Sequence, residues 1–156
     1  MTVFEWQAKI IEGAAAGVVH WMGTTRPDRL DWCPSAEADS NTRSVIQVVQ
    51  ECVGANRRIA SLLRGDEQPP ADAEPSSKSQ ELGEQLTRSA HELAEVVRSL
   101  DDSVLGRIYQ GPRGPMPGAF LIQVPAFNMM YHSGQINYIQ RLYGDIEFSF
   151  PGIPGN

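Results

Sequence analysis

The sequence is short of cysteine, histidine, basic charge and long apolar runs. Its 156 residues include two cysteines, three histidines and 13 basic residues against 19 acidic ones, for a formal net charge of −6. This balance argues against a nucleic-acid or anionic-membrane surface, which needs basic patches. No apolar run approaches the ~20 residues of a membrane span. Residues 1–13 lack the features of a signal peptide, and Cys33 and Cys52 form no framework of spaced pairs. We therefore predict a cytoplasmic chain with reduced thiols.

The first half of the chain contains two segments with helical periodicity. Thr2 and Glu5 have the spacing of a capping box, so the first helix is predicted to begin there. Thr42 is predicted to cap a second helix, which ends at Gly65. The connection between them, residues 24–40, contains two prolines that exclude one continuous helix. A connection of this length is often functional or tightly packed, and it is expected to cover one end of a bundle.

The second half contains two further helices. Ser77 and Gln80 have the spacing of another capping box, which predicts the start of the third helix. Residues 111–118, rich in glycine and proline, are expected to be irregular. The last helix is expected to begin between Pro117 and Pro125. The sequence therefore predicts an all-α fold in a single domain, residues 1–156. It is a four-helix bundle with a long connection between helices 1 and 2 and an irregular segment before the last helix.

The last helix carries polar residues inside an apolar stripe. Asn128, His132 and Gln135 are three and four positions apart and therefore share one helix face. Buried polar groups are costly unless they are satisfied or used, so this column marks a candidate site. Glu51 lies at the border of the apolar stripe of the second helix, either half exposed or directed inward. His20 is interpreted as a helix-end histidine at the rim of the bundle.

Three stretches resemble one known family. HSGQINYIQRLYGD, which begins at His132, resembles the final helix of the DinB/YfiT-like four-helix-bundle family. The matching positions are His132, Gly134, Gln135, Ile136 and Gly144. The second-helix stretch around Gly54-Ala55-Asn56-Arg57 and the loop stretch RLDWCPS are similar to the corresponding parts of that family. The resemblance covers most of the chain and implies a DinB-like four-helix bundle.

The resemblance also implies a metal site. Members commonly hold a divalent metal with one histidine of the second helix and two, four residues apart, of the last helix. These positions fall on Glu51, Asn128 and His132, of which only His132 matches. Glutamate and histidine are good ligands, whereas an asparagine amide oxygen is a weak one. The resemblance thus implies one divalent metal (zinc, nickel or manganese) in a degenerate site, or its loss. The residues expected to surround the metal or a substrate are His20, Tyr131 and Gln135.

Three hypotheses for function follow. In the first, the metal site supports hydrolase-like or thiol-transferase-like chemistry on a small-molecule substrate, as the resemblance implies. In the second, the bundle binds a small ligand without metal. Glu51 and His132 then shape a polar pocket, in which one can act as a general base and the other can orient it. In the third, the polar cluster is structural and the domain acts as a homodimer, aided by Phe148 and Phe150. None of the three involves nucleic acid or a membrane as partner.

Overall fold

The computed structural model describes residues 1–35, 42–66, 75–111, 114–145 and 147. The secondary-structure elements within these residues, in chain order, are α1 (Val3–Thr24), a short 3₁₀ turn (Pro27–Arg29), α2 (Val45–Arg64), α3 (Ser79–Arg98), α4 (Ser103–Gly106), β1 (Ile108–Gly111), β2 (Gly114–Pro117), α5 (Gly118–Leu121) and α6 (Val124–Leu142). None of the described helices has the length and apolarity needed to span a bilayer.

The four long helices form a bundle in which α1 and α2 each pack against both α3 and α6. Gly17 of α1 faces Ser133 of α6. Further along both helices, the amide of Gln140 donates to the carbonyl of Trp21 at 3.1 Å and to the hydroxyl of Thr25 at 3.0 Å. The contacts ascend along both helices, so α1 and α6 run in the same direction.

The helices α2 and α3 also run in one direction, opposite to α1 and α6. Near the start of α2, the amide of Gln50 donates to the carbonyl of Pro75, which precedes α3. Further along α2, the amide of Asn56 donates to the hydroxyl of Ser89, which lies further along α3. The end of α2 and the start of α3 therefore lie at opposite ends of the bundle, and the ends of α1 and α6 lie beside the starts of α2 and α3.

The interior of the bundle is apolar, as the helical periodicity predicts. Its largest fully buried side chains are those of Ile11, Leu82, Leu86, Leu93, Leu121, Met129 and Ile136. Cys52 is also fully buried and belongs to this core, as the sequence indicates. The connection after α1 closes one end of the bundle: Leu30 and Trp32 pack against the core, and the Trp32 ring meets Tyr143 edge-on at 5.8 Å.

The helix starts agree with the sequence at α1 and differ at α2 and α3. The Thr2–Glu5 capping box of α1 is confirmed. The prediction that Thr42 caps α2 is wrong, because Ser44 forms a capping box with Gln47 instead. The capping box predicted for α3 is also absent. That helix starts at Ser79 without a side-chain cap.

The segment before α6 is more ordered than the sequence suggests. Within residues 111–118, which the sequence predicts to be irregular, Gly114–Pro117 form β2 and pair with β1 in an antiparallel hairpin, in which Ile108 pairs with Pro117 and Gly111 with Gly114. Gly114 has φ of 110°, a conformation that glycine adopts without strain. The prolines of β2 are tolerated because a two-stranded hairpin has only edge strands. Phe148 and Phe150, expected to support dimerisation, lie outside the described residues.

Candidate functional site

A cavity of about 410 Å³ lies between α2 and α6, near the closed end of the bundle. The described residues that line it are Pro34, Thr42, Arg43, Val48, Glu51, Tyr131, His132, Gln135, Tyr138, Ile139 and Leu142. A larger hollow of about 530 Å³ lies between α1 and α3. Its charged side chains, Glu84 and Arg88, pair with each other, so we regard the smaller cavity as the candidate site.

His132 is buried on α6 and is oriented by Gln135. Its Nδ1 lies 2.6 Å from Oε1 of Gln135, while the Gln135 amide nitrogen donates to the hydroxyl of Tyr131 at 3.0 Å. An amide oxygen can only accept a hydrogen bond, so Nδ1 of His132 carries the proton. The other ring nitrogen, Nε2, therefore presents a lone pair when the ring is neutral.

That Nε2 atom is buried and has no hydrogen-bond partner among the residues that the structure describes. Oε2 of Glu51 lies 3.7 Å away, beyond hydrogen-bond distance. Burial lowers the pKa of His132, the Gln135 bond opposes this effect, and the charge of Arg43 lowers the pKa further. A pKa lowered in this way favours the neutral ring at pH 7. The Glu51–His132 contact then places two hydrogen-bond acceptors side by side and is not a salt bridge.

Arg43 supplies the positive charge of the site. Its Nη1 forms an ion pair with Oε2 of Glu51, the same oxygen that faces His132. Glu51 keeps a third of its side-chain surface exposed, and Arg43 about half. The two alternatives that the sequence leaves for Glu51 therefore both apply, because it is partly exposed and also directed into the cavity.

Two of the predicted site residues lie elsewhere. Asn128 is not among the described residues that line the cavity, and its amide nitrogen is buried without a hydrogen-bond partner in the described part of the chain. His20 lies on α1, where its ring meets Trp21 edge-on at 5.4 Å, and it is not among the described lining residues either. The cavity thus brings together four of the six predicted residues, Glu51, Tyr131, His132 and Gln135.

The donor atoms suit a divalent metal only in part. The orientation of His132 by Gln135 is typical of a metal-bound histidine, and two ligands of one tetrahedral zinc lie about 3.4 Å apart. However, Oε2 of Glu51 is already paired with Arg43, and the described residues contain no group of three histidine, cysteine or acidic side chains suited to a metal. The residues present therefore do not fit the three-ligand site that the resemblance implies.

Sequence reasoning missed Arg43 and Tyr138. Arg43 precedes the first residue of α2, so helical periodicity does not place it beside Glu51. Tyr138 lies on α6 three residues beyond Gln135, and its spacing from the polar column could have identified it.

Two solved structures are similar to this fold over nearly the whole chain. One is a conserved protein from Enterococcus faecalis, with 14% identity, a TM-score of 0.70, and coverage of 91% of this chain and 97% of that chain. The other is a DinB-like protein from Bacillus subtilis, YjoA, with 12% identity, a TM-score of 0.66, and coverage of 93% and 96%. The chain has a DinB-like fold.

The predicted all-α, DinB-like bundle is therefore confirmed. No protein-family model matches the sequence, and no curated protein does. At identities of 12% and 14% the similarity concerns the DinB-like fold alone, because one fold supports many chemistries. The function has to be argued from the cavity.

Proposed function

We propose that this DinB-like bundle binds a small molecule in the cavity between α2 and α6. The molecule donates a hydrogen bond to Nε2 of His132 and Oε2 of Glu51. The observation that carries this proposal is the buried Nε2 without a partner. A buried acceptor left unpaired costs about 1–3 kcal/mol, which a ligand with an N–H or O–H group would recover.

The remainder of the cavity wall indicates the shape of the ligand. Val48, Ile139 and Leu142 supply apolar surface, and Tyr138 supplies an aromatic ring. A cavity of this size accepts a small organic molecule. The ligand therefore combines a neutral head that donates a hydrogen bond, an amide N–H or a hydroxyl, with a short apolar tail.

The proposal can be tested by NMR titration of the full chain with butyramide, a neutral molecule with an N–H group and a short apolar tail. Its control is N,N-dimethylbutyramide, which is also neutral and has the same tail but no N–H group. With three histidines in the chain, the ring signals of His132 can be assigned with a His132→Gln variant. We expect saturable shifts of the His132 signals with the first compound only. Equal shifts with both compounds, or with neither, would overturn the proposal.

A second candidate function is the metal-dependent enzyme of hydrolase or thiol-transferase type, with Glu51, His132 and Asn128 as ligands. The lone pair of His132 directed at Glu51 favours it. Elemental analysis of tag-free protein, dialysed in turn against zinc, manganese and nickel, distinguishes the candidates. We expect well below one metal per chain. One metal per chain, lost in Glu51→Ala, would replace the first proposal by this one. The homodimer and the cytoplasmic location stay predictions.

A further inference from the structure

The single oxygen Oε2 of Glu51 has two neighbours that compete for it. Nη1 of Arg43 holds it in an ion pair, and Nε2 of His132 faces it from 3.7 Å. A cation shared by Glu51 and His132 would have to contact this same oxygen. The guanidinium is thus in the position to compete with any such cation.

We propose that Arg43 acts as a tethered cation that keeps divalent metals from the Glu51–His132 pair. A guanidinium is charged at every accessible pH and cannot dissociate from the chain, so it neutralises Glu51 permanently. An incoming metal would have to displace it and would be repelled by it. Arg43 is therefore the residue that determines whether the cavity selects organic ligands or metal ions.

The position of Arg43 supports this role. It lies just before Ser44, the cap residue of α2, and reaches along the helix to Glu51, which is two turns into it. About half of its side chain is exposed, so its removal leaves no large hole in the core. Variants at this position are therefore expected to fold.

The test is calorimetric titration of the full chain with Zn²⁺ and, separately, Ni²⁺. A Cys33→Ser background removes the half-buried thiol as a competing ligand. We expect Arg43→Ala and Arg43→Gln to bind one metal per chain at least 10-fold more tightly than the parent. Arg43→Lys, which keeps the charge, should stay within about 3-fold of the parent. Adding Glu51→Gln to Arg43→Ala should abolish the gain.

The matched control is Arg141→Ala, which removes the same charge from an exposed position in the last turn of α6 outside the cavity lining. It should leave metal affinity unchanged. The inference is overturned if neither Arg43→Ala nor Arg43→Gln binds metal more tightly than the parent. It is also overturned if the gain survives Glu51→Gln or appears equally in Arg141→Ala.

The inference rests on the proposed function in that it explains how the cavity favours an organic ligand, yet the two fail separately. The butyramide titration tests the hydrogen-bond acceptors with a neutral ligand and without any metal. The metal titration tests Arg43 without any organic ligand. Metal binding that is already tight in the parent would overturn the role of Arg43, whereas the ligand proposal would still be decided by the His132 signals.

Discussion

Nδ1 of His132 lies 2.6 Å from Oε1 of Gln135, one turn further along α6. The bond fixes which ring nitrogen of His132 carries the proton, and it thereby directs the lone pair of Nε2 at Glu51. A histidine that shape and burial alone held in place could present either nitrogen. Gln135 therefore determines that the cavity contains a hydrogen-bond acceptor at Nε2 of His132. Gln135 is itself held by a hydrogen bond to the hydroxyl of Tyr131, at 3.0 Å.

Replacing Gln135 with leucine should change the tautomer of His132. Without an acceptor at Nδ1, the proton is expected to move to Nε2, where Glu51 can accept it. Nitrogen chemical shifts of the imidazole ring distinguish the two tautomers, and the wild-type chain should show the Nδ1–H form. The loss of one hydrogen bond should also lower the free energy of unfolding by about 1 kcal/mol.

A matched control is Gln110→Leu, the same substitution at an exposed position of β1. It should leave the tautomer of His132 unchanged and should change the free energy of unfolding by no more than about 0.5 kcal/mol. A wild-type ring protonated at Nε2, or a ring whose tautomer is the same in Gln135→Leu, would contradict the assigned role of Gln135.

The part of the site that lies on one helix could be predicted from the sequence. His132 and Gln135 are three residues apart inside an apolar stripe, and helical geometry alone places them in contact. The contact of His132 with Glu51 joins two helices, and the prediction of that pair came from the family resemblance. The same resemblance included Asn128, which the structure places outside the cavity lining.

The start of α2 and the hairpin could not be predicted, because their sequence signals are weak or compatible with more than one local structure. Thr42 and Ser44 are both good cap residues, and Gln47, three residues after Ser44, decides between them. That choice moves the start of α2 and leaves Arg43 outside the helix, next to the cavity. The sequence does not predict strand β2, because its glycine and prolines indicate turns and give little strand signal.

Replacing the carboxylate of Glu12, which joins α1 to α3, should lower the free energy of unfolding above pH 5 but not at low pH. Arg98 donates to both oxygens of Glu12, at 3.1 and 2.7 Å. These bonds lower the pKa of Glu12 below its ordinary value of 4.5, against the opposing effect of burial. The unfolded chain then binds more protons, so the stabilisation is complete above the ordinary pKa and is lost as the pH falls through the folded value.

Denaturant unfolding of wild type and Glu12→Gln from pH 7 to 3 checks this prediction. Because a third of the Glu12 side chain is exposed, the free energy of unfolding of Glu12→Gln at pH 7 should be at most about 1 kcal/mol below that of the wild type. This difference in the free energy of unfolding should shrink towards pH 3. Glu92→Gln, an exposed change on α3, is the control and should show no such difference. A Glu12→Gln difference that is constant across this range would contradict the assigned pairing.

The two cysteines should differ sharply in reactivity. Cys52 is fully buried, and burial raises the pKa of its thiol to about 12, so almost no thiolate is present at neutral pH. Cys33 is half-buried, in the connection after α1. A chromogenic disulfide reagent should modify one thiol of the native chain quickly and the second at least about 100-fold more slowly. In denaturant, the two thiols should react at equal rates. Native Cys33→Ser should lack the fast phase. Two fast thiols in the native chain would contradict the burial of Cys52.

Two glycine-to-alanine changes should have opposite effects on stability. A Cβ on Gly118, at the start of α5, would lie 2.0 Å from the backbone oxygen of Val104, and backbone cannot move aside as a flexible side chain can. Gly118→Ala should therefore destabilise the fold by about 2–3 kcal/mol or more. At Gly134, within α6, a Cβ meets no atom within 4 Å among the described residues. Gly134→Ala should stabilise the fold by up to about 1 kcal/mol, because glycine is a poor helix former.

Thermal and denaturant unfolding of both variants measures this difference. The effect of Gly118→Ala also concerns the cavity, because Gly118 joins the hairpin to the segment that leads into α6. That helix carries His132 and Gln135. If the close contact at Val104 positions the start of α6, Gly118→Ala should also broaden the His132 ring signals, whereas Gly134→Ala, which lies nearer to His132 in the chain, should leave them sharp. Equal stability of the two variants would show that the start of α5 does not approach α4 as closely as the backbone geometry indicates.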